Sequence, residues 1–170
     1  QLAEQMLDDG THYERSPMYH SRVLWLLLAL QASGHPELQA YGDAHVHGAA
    51  RAMRFMTHPD GELALFNDSA FGIYTPPAKL LEKVGLGLDV LGSFALHNSG
   101  YFGSQTSEGH YLICDAGRLG PDHIPGHAHG DVFSFELSWR GRRWLTDTGV
   151  HDYQASEERR LARATASHNT

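Results

Sequence analysis

The stretch Gly126-His127-Ala128-His129-Gly130-Asp131-Val132-Phe133-Ser134-Phe135-Glu136-Leu137-Ser138-Trp139 runs the chain's densest chemistry straight into its clearest strand. From Val132 to Trp139 apolar and polar residues alternate, the period-two pattern of a half-buried strand. Arg140-Gly141 predicts a tight turn into a second strand over 142–146, closing a β-hairpin. Working back from this hairpin, the β pattern reaches to about Gly92, with further strands predicted over 100–105 and 110–115. Before Gly92 the chain reads as helix.

The helical reading rests on caps and stops. Residues 1–7 read as the last turns of a helix ended by Asp8-Asp9-Gly10. Ser16-Pro17 places an N-cap before a proline at the first helical position, and the Leu-rich segment from Met18 to Ala32 reads as a helix buried on much of its surface. Ser33-Gly34-His35-Pro36 stops it. A second helix is predicted from Pro36 to about Met56, with Leu38, Tyr41, His45, Ala49, Ala52 and Phe55/Met56 on one face. Two helices joined by so short a break form an antiparallel hairpin. Loop signals fill 58–77, and a short helix is predicted over 78–84. Helices followed by strands, rather than alternating with them, define an α+β chain with segregated parts.

The bulk numbers exclude several classes. The 170 residues are enough for one ordinary domain or two small ones. A formal charge of −7 argues against a nucleic-acid surface, which needs clustered Lys and Arg. The longest apolar run, Val23 to Leu30, is far too short to span a membrane. The single cysteine, Cys114, allows neither an internal disulfide nor a Cys-based zinc site, and reads as a small buried residue in a strand. A start at Gln1 and a stop just after a histidine-bearing motif mark the chain as an internal fragment.

Thirteen histidines are unusual, and the pair at 127 and 129 is the most informative. Asp147, in Thr146-Asp147-Thr148-Gly149, follows eighteen positions after His129, and His168 follows twenty-one after that. Imidazole and carboxylate donors are what tetrahedral zinc takes when thiolates are absent. In a regular strand His127 and His129 would share a face and bind one metal together. The flanking Gly126 and Gly130 equally allow the rings to diverge. Asp131 reads either as a partner to a histidine or as a turn cap. Tyr19-His20, in the first turn of the buried helix, is placed to face a cleft at the helix mouth, although a tyrosine there also suits a core. Arg159, Arg160 and Arg163 could meet an acidic polymer or simply face solvent.

Taken in order, several motifs resemble the heparinase II/III-like polysaccharide lyases, the family of heparin, heparan sulfate and oligoalginate lyases. They are Asp9-Gly10 through Ser16-Pro17-Met18-Tyr19-His20, then Pro59-Asp60-Gly61 and Asn67-Asp68-Ser69. Next come Gly126 to Asp131 leading into Phe133-Ser134-Phe135-Glu136, then Asp147-Thr148-Gly149, and 164–170 with His168-Asn169-Thr170. The resemblance implies the end of an α/α toroid over 1–91 followed by the start of an antiparallel β-sandwich over 92–170.

The resemblance also implies a chemistry, β-elimination on a uronic-acid-containing polysaccharide of glycosaminoglycan or alginate type. Tyr19 matches the catalytic tyrosine, His127 the catalytic histidine, and His20 a neighbour that positions substrate. His129, Asp147 and His168 match the ligands of a mainly structural zinc ion. The His-x-His pair is thereby divided between catalysis and metal. Arg159 and Arg163 are the substrate-binding cations in this reading. The family's carboxylate-neutralising Asn lies upstream, so the piece alone is expected to be inactive. A periplasmic or secreted location follows from the resemblance. Two other readings are a non-catalytic glycan-binding protein on the same fold and a cupin-like metal oxygenase. The second is disfavoured by the long spacing from His129 to Glu136 and by the helical first half.

Overall fold

The computed structural model describes residues 3–121, 126–164 and 168. Ser16 begins the first helix, α1 (Pro17–Gln31): its backbone is extended, its Oγ accepts the Tyr19 N–H at 3.2 Å, and Pro17 occupies the first turn. After the break at 32–35 the chain returns as α2 (Pro36–Phe55). The buried stripe of α2 is Gly42, Val46, Ala49, Ala50, Ala52 and Met53. It is rotated from the expected face: Leu38 is exposed, and Tyr41 and His45 are only half-buried. The reason is close packing. A Cβ on Gly42 would lie 2.6 Å from the Gln31 nitrogen and 2.9 Å from the Leu27 oxygen, so the glycine is where α2 touches α1. A short helix, α3 (Pro77–Lys83), packs Leu80 and Leu81 into the same core. At the N-terminus only a 3-10 turn, Ala3–Gln5, stands where the end of a longer helix was expected, and residues 1 and 2 of that expectation lie outside the described residues.

The second half forms an antiparallel meander with strand order β1-β2-β3-β4-β5: β1 (Gly92–Leu96), β2 (Tyr101–Gln105), β3 (Tyr111–Asp115), β4 (Phe135–Trp139) and β5 (Arg142–Leu145). β1 stands where the β pattern was expected to begin, although no strand bounds were predicted there. β4 starts three residues later than the alternation suggested, because Phe133 adopts a φ of 70° and its N–H returns to the Asp115 carbonyl. One face of the sheet, with Phe94, Leu96, Tyr101, Tyr111 and Ile113, joins the helices in a single core. The Tyr111 hydroxyl donates to the Phe55 carbonyl at 2.5 Å, and the Phe55 and Phe94 rings stack at 4.7 Å. Gly103 makes the second contact possible, since a Cβ there would meet the Phe94 ring at 2.4 Å. The opposite face presents Phe102, Leu112 and Trp139 half exposed.

A final short helix, α4 (Glu157–Ala162), is capped by Ser156 Oγ on the Arg159 N–H at 3.0 Å. Among the described residues no helix is long and apolar enough to cross a membrane.

Candidate functional site

The site forms where the loop 67–69 is gripped between α1 and the segment that precedes β4. Ser16 Oγ, besides capping α1, donates to the Asp68 carbonyl at 2.8 Å. On the other side the Asp68 N–H donates to the His127 carbonyl at 3.0 Å, and the Val150 N–H to the Ser69 carbonyl at 3.0 Å. Asn67 completes the grip. Its N–H donates to Asp131 Oδ2 at 2.7 Å, its Oδ1 accepts the His129 N–H at 3.0 Å, and its Nδ2 reaches the Arg15 carbonyl at 3.3 Å. A cap residue of the first helix therefore fixes, through one loop, the segment carrying both histidines.

Tyr19 stands at the mouth of this junction. Its ring lies 4.2 Å from the His127 ring, centroid to centroid, and its hydroxyl donates to the Tyr153 hydroxyl at 3.1 Å. Burial raises the Tyr19 phenol above its ordinary range, against the opposing pull of the Tyr153 hydrogen bond. His127 is partly exposed, with Nε2 at 3.8 Å from Glu14 Oε2. Burial raises the Glu14 carboxyl, a positive charge on His127 would lower it, and the charge of Asp68 raises it further. The result is a partly exposed corner bearing a phenol, an imidazole and a carboxyl. Phenol and imidazole both take and give protons within hydrogen-bond reach.

His127 and His129 do not share a face. They meet head-on at the carboxylate of Asp68, which is fully buried: His127 Nδ1 lies 2.9 Å from Oδ2 and His129 Nε2 lies 2.7 Å from Oδ1. Burial opposes ionisation of Asp68, but the hydrogen bonds from His129 and His127 and the charge of Arg159 bring its pKa below the ordinary value.

His129 turns inward, with its ring 5.7 Å from that of His168, and His168 Nδ1 lies 2.7 Å from Asp147 Oδ2. So the structure brings His129, Asp147 and His168 into one buried neighbourhood. Among the described residues no three His, Cys, Asp or Glu side chains are already drawn into a ligand cluster. The donor chemistry nevertheless suits a zinc-type ion, because His129 Nδ1 and His168 Nε2 are both buried without a hydrogen-bond partner. Asp131, the open alternative of the sequence reading, accepts the Asn67 N–H, so it braces a loop. Burial first, then the neighbouring Asp147 charge, raises its pKa.

The remaining expected residues are His20, Arg159 and Arg163. His20 is fully buried. Its Nδ1 accepts the His12 N–H at 3.0 Å and its Nε2 lies 2.8 Å from the Ala49 carbonyl, so both nitrogens are used by backbone beneath Tyr19. Arg159 lies over the Tyr153 ring at 5.0 Å, with Nη2 at 3.4 Å from Asp68 Oδ2. Arg163 donates to the Gly126 and Ala128 carbonyls, at 3.1 and 2.6 Å, and so holds the histidine loop. Of the closing motif, His168 is described, whereas 165–167 and 169–170 lie outside the described residues. Asn67, Asp68, Glu14 and Tyr153 are the site residues to which sequence reading gave no role. The Asn67-Asp68-Ser69 motif was the available signal for two of them.

The fold, a helical hairpin docked on an antiparallel meander, is shared with solved structures. Residues 89–170 match the model of the heparinase II/III-like C-terminal family. Among solved structures, the heparan sulfate lyase HepC from Pedobacter heparinus is similar at 22% identity and a TM-score of 0.76, over 99% of this chain and 31% of that one. A heparinase III gene product gives 21% identity and a TM-score of 0.76, over 99% and 31%. A third structure, of heparinase III, gives 18% identity and a TM-score of 0.77, over 99% and 33%. Likeness at these identities is one of fold, and the chain spans about a third of the length of these neighbours. No curated protein sequence matches the chain.

Proposed function

We propose that this chain supplies part of the active site of a polysaccharide lyase that cleaves a uronic-acid-containing polymer, of glycosaminoglycan or alginate type, by β-elimination. The observation that carries the reading is the Tyr19–His127 pairing at 4.2 Å, at the rim of a junction in a heparinase II/III-like chain. The lyase names of the similar structures support the reaction class.

Elimination requires that the C5 proton leave to a base, that its electron pair form the C4–C5 double bond, and that the departing O4 receive a proton. Tyr19 is the general acid in this proposal, and His127 the base or a donor to substrate. Arg159, at the rim beside Tyr153, is the cation placed to meet an acidic chain. Zinc, when bound, would serve mainly as a structural link, held by His129, Asp147 and His168. His20 acts from below, by seating the first turn of α1 that carries Tyr19. A periplasmic or secreted location belongs to the same proposal, since such polymers are met outside the cytoplasm.

The test uses the full-length protein purified with zinc, incubated with a panel of uronate polymers and followed by ultraviolet absorbance of the new double bond. The expected result is a rise on at least one polymer, lowered by about two orders of magnitude or more in Tyr19→Phe and His127→Ala. No rise on any polymer, with tight glycan binding retained, would replace the lyase with a glycan-binding protein on the same fold.

A further inference from the structure

The corner and the buried cluster are joined by one group to which the reaction gives no part, the carboxylate of Asp68. It is completely buried, it comes from the helical half of the chain, and each of its oxygens faces a different histidine. An ionised carboxylate can only accept hydrogen bonds, so an imidazole nitrogen directed at it must carry the proton. In a neutral imidazole the lone pair is then left on the other nitrogen. His127 presents Nδ1 to Asp68 and His129 presents Nε2. The same acceptor therefore imposes opposite tautomers on two histidines separated by a single residue.

We infer that Asp68 is the positioning residue that assigns the two histidines their separate tasks. It holds His127 as the Nδ1–H tautomer, with the lone pair of Nε2 on the Tyr19 and Glu14 side. It holds His129 as the Nε2–H tautomer, with the lone pair of Nδ1 in the buried space beside His168. The backbone makes this placement rigid. The Asp68 N–H is tied to the His127 carbonyl, its carbonyl to Ser16, and the His129 N–H to Asn67. Arg159 Nη2, at 3.4 Å, supplies the compensating positive charge. A carboxylate behind a metal-binding imidazole orients the ring and strengthens it as a donor. Here the same carboxylate also stands behind the imidazole of the proposed acid–base pair.

The catalytic consequence rests on the lyase reading, but the tautomers do not. Long-range proton–nitrogen NMR spectra of the full-length protein, with the histidines labelled, should show His127 protonated at Nδ1 and His129 at Nε2. Either ring in the opposite tautomer overturns the inference. The matching variant is Asp68→Asn, whose amide can accept from one imidazole but must donate to the other, so that one of the two rings has to change tautomer. The expected losses are about 10–100-fold in kcat, with KM changed by less than about threefold, and a similar loss in zinc affinity measured by competition with a chelator. An Asp68→Asn protein that keeps both tautomers, kcat and zinc affinity also overturns the inference. Should the variant not fold, the spectrum of the unmodified protein still decides. If the tautomers are as stated but no polymer is cleaved, the lyase reading fails and the assignment of the histidines stands.

Discussion

At Asn67 the backbone adopts a φ of 58°, a left-handed conformation that asparagine tolerates better than most residues, and the side chain is buried. One side chain thus answers two demands, the turn and the hydrogen bonds to the His129 N–H and the Arg15 carbonyl. Asn67→Ala should therefore destabilise by about 2–4 kcal/mol, combining unsatisfied buried groups with the left-handed penalty. Asn67→Gly should recover about 1 kcal/mol of that, since only the backbone term is relieved. Denaturant unfolding of the two variants checks both numbers, and equal losses would show that the turn carries no strain. Residues of this kind were hard to see in the sequence. Tyr19, His127 and Asp147 announce themselves by their chemistry and motif. Asn67 and Asp68 act through partners some sixty positions away, and only the folded loop shows which carboxylate those histidines meet.

At the scale of elements, the β4–β5 hairpin is held to the helical half by Glu136, a buried charge. Its Oε1 accepts the Leu65 N–H at 2.6 Å and the Asp147 N–H at 3.2 Å, while Oε2 lies 2.7 Å from His58 Nε2 and 3.2 Å from Arg143 Nη1. Arg143 in turn grips Asp60 at 2.7 Å and the Glu62 and Leu63 carbonyls. Breaking such a network from one end leaves the other charges buried and unpaired. Glu136→Ala should cost about 3–5 kcal/mol in urea unfolding, well above the cost of an exposed pair such as Arg160–Glu157. A cost below about 1 kcal/mol would mean that the hairpin docks through apolar contacts alone. The hairpin itself was legible, because alternation and the Arg140-Gly141 turn are local signals. Its docking was not, since alternation gives the period of a strand but does not show that the polar residues Glu136 and Ser138 are the buried ones. The face of α2 was misread for a related reason: hydrophobic periodicity does not mark the glycine at which two helices come closest.

For the whole molecule, buried ionisable groups at the seam of the two halves set a pH window. Burial holds the His20 imidazole down at about 4 and, with the charges of His20 and His127, the His12 imidazole at about 3. Both are depressed from 6.5, so their contribution is complete above that value and is lost as the pH falls towards 4 and 3. Asp115 works in the opposite sense. Burial, with the charge of Asp131 adding to it, raises its carboxyl from 3.8 to about 8, against hydrogen bonds from Gly117 and Asn67 and the charge of Arg15. Its contribution is complete below 3.8 and is lost as the pH rises through about 8. Between about 4 and 6.5 the two histidines outweigh the one carboxyl. Above 6.5 only Asp115 of these three is still titrating, so the combined contribution of these three groups peaks near pH 6.5. From there to pH 8 it should decline with a limiting slope of about 1.4 kcal/mol per pH unit. In Asp115→Asn, which keeps a neutral acceptor beside Asn67, the alkaline decline should flatten while the acid limb stays unchanged. Chemical denaturation at half-unit steps from pH 4 to 8.5 measures both limbs. An alkaline slope that survives in Asp115→Asn would assign it to another group whose pKa is raised in the folded chain, such as Asp131 or His168.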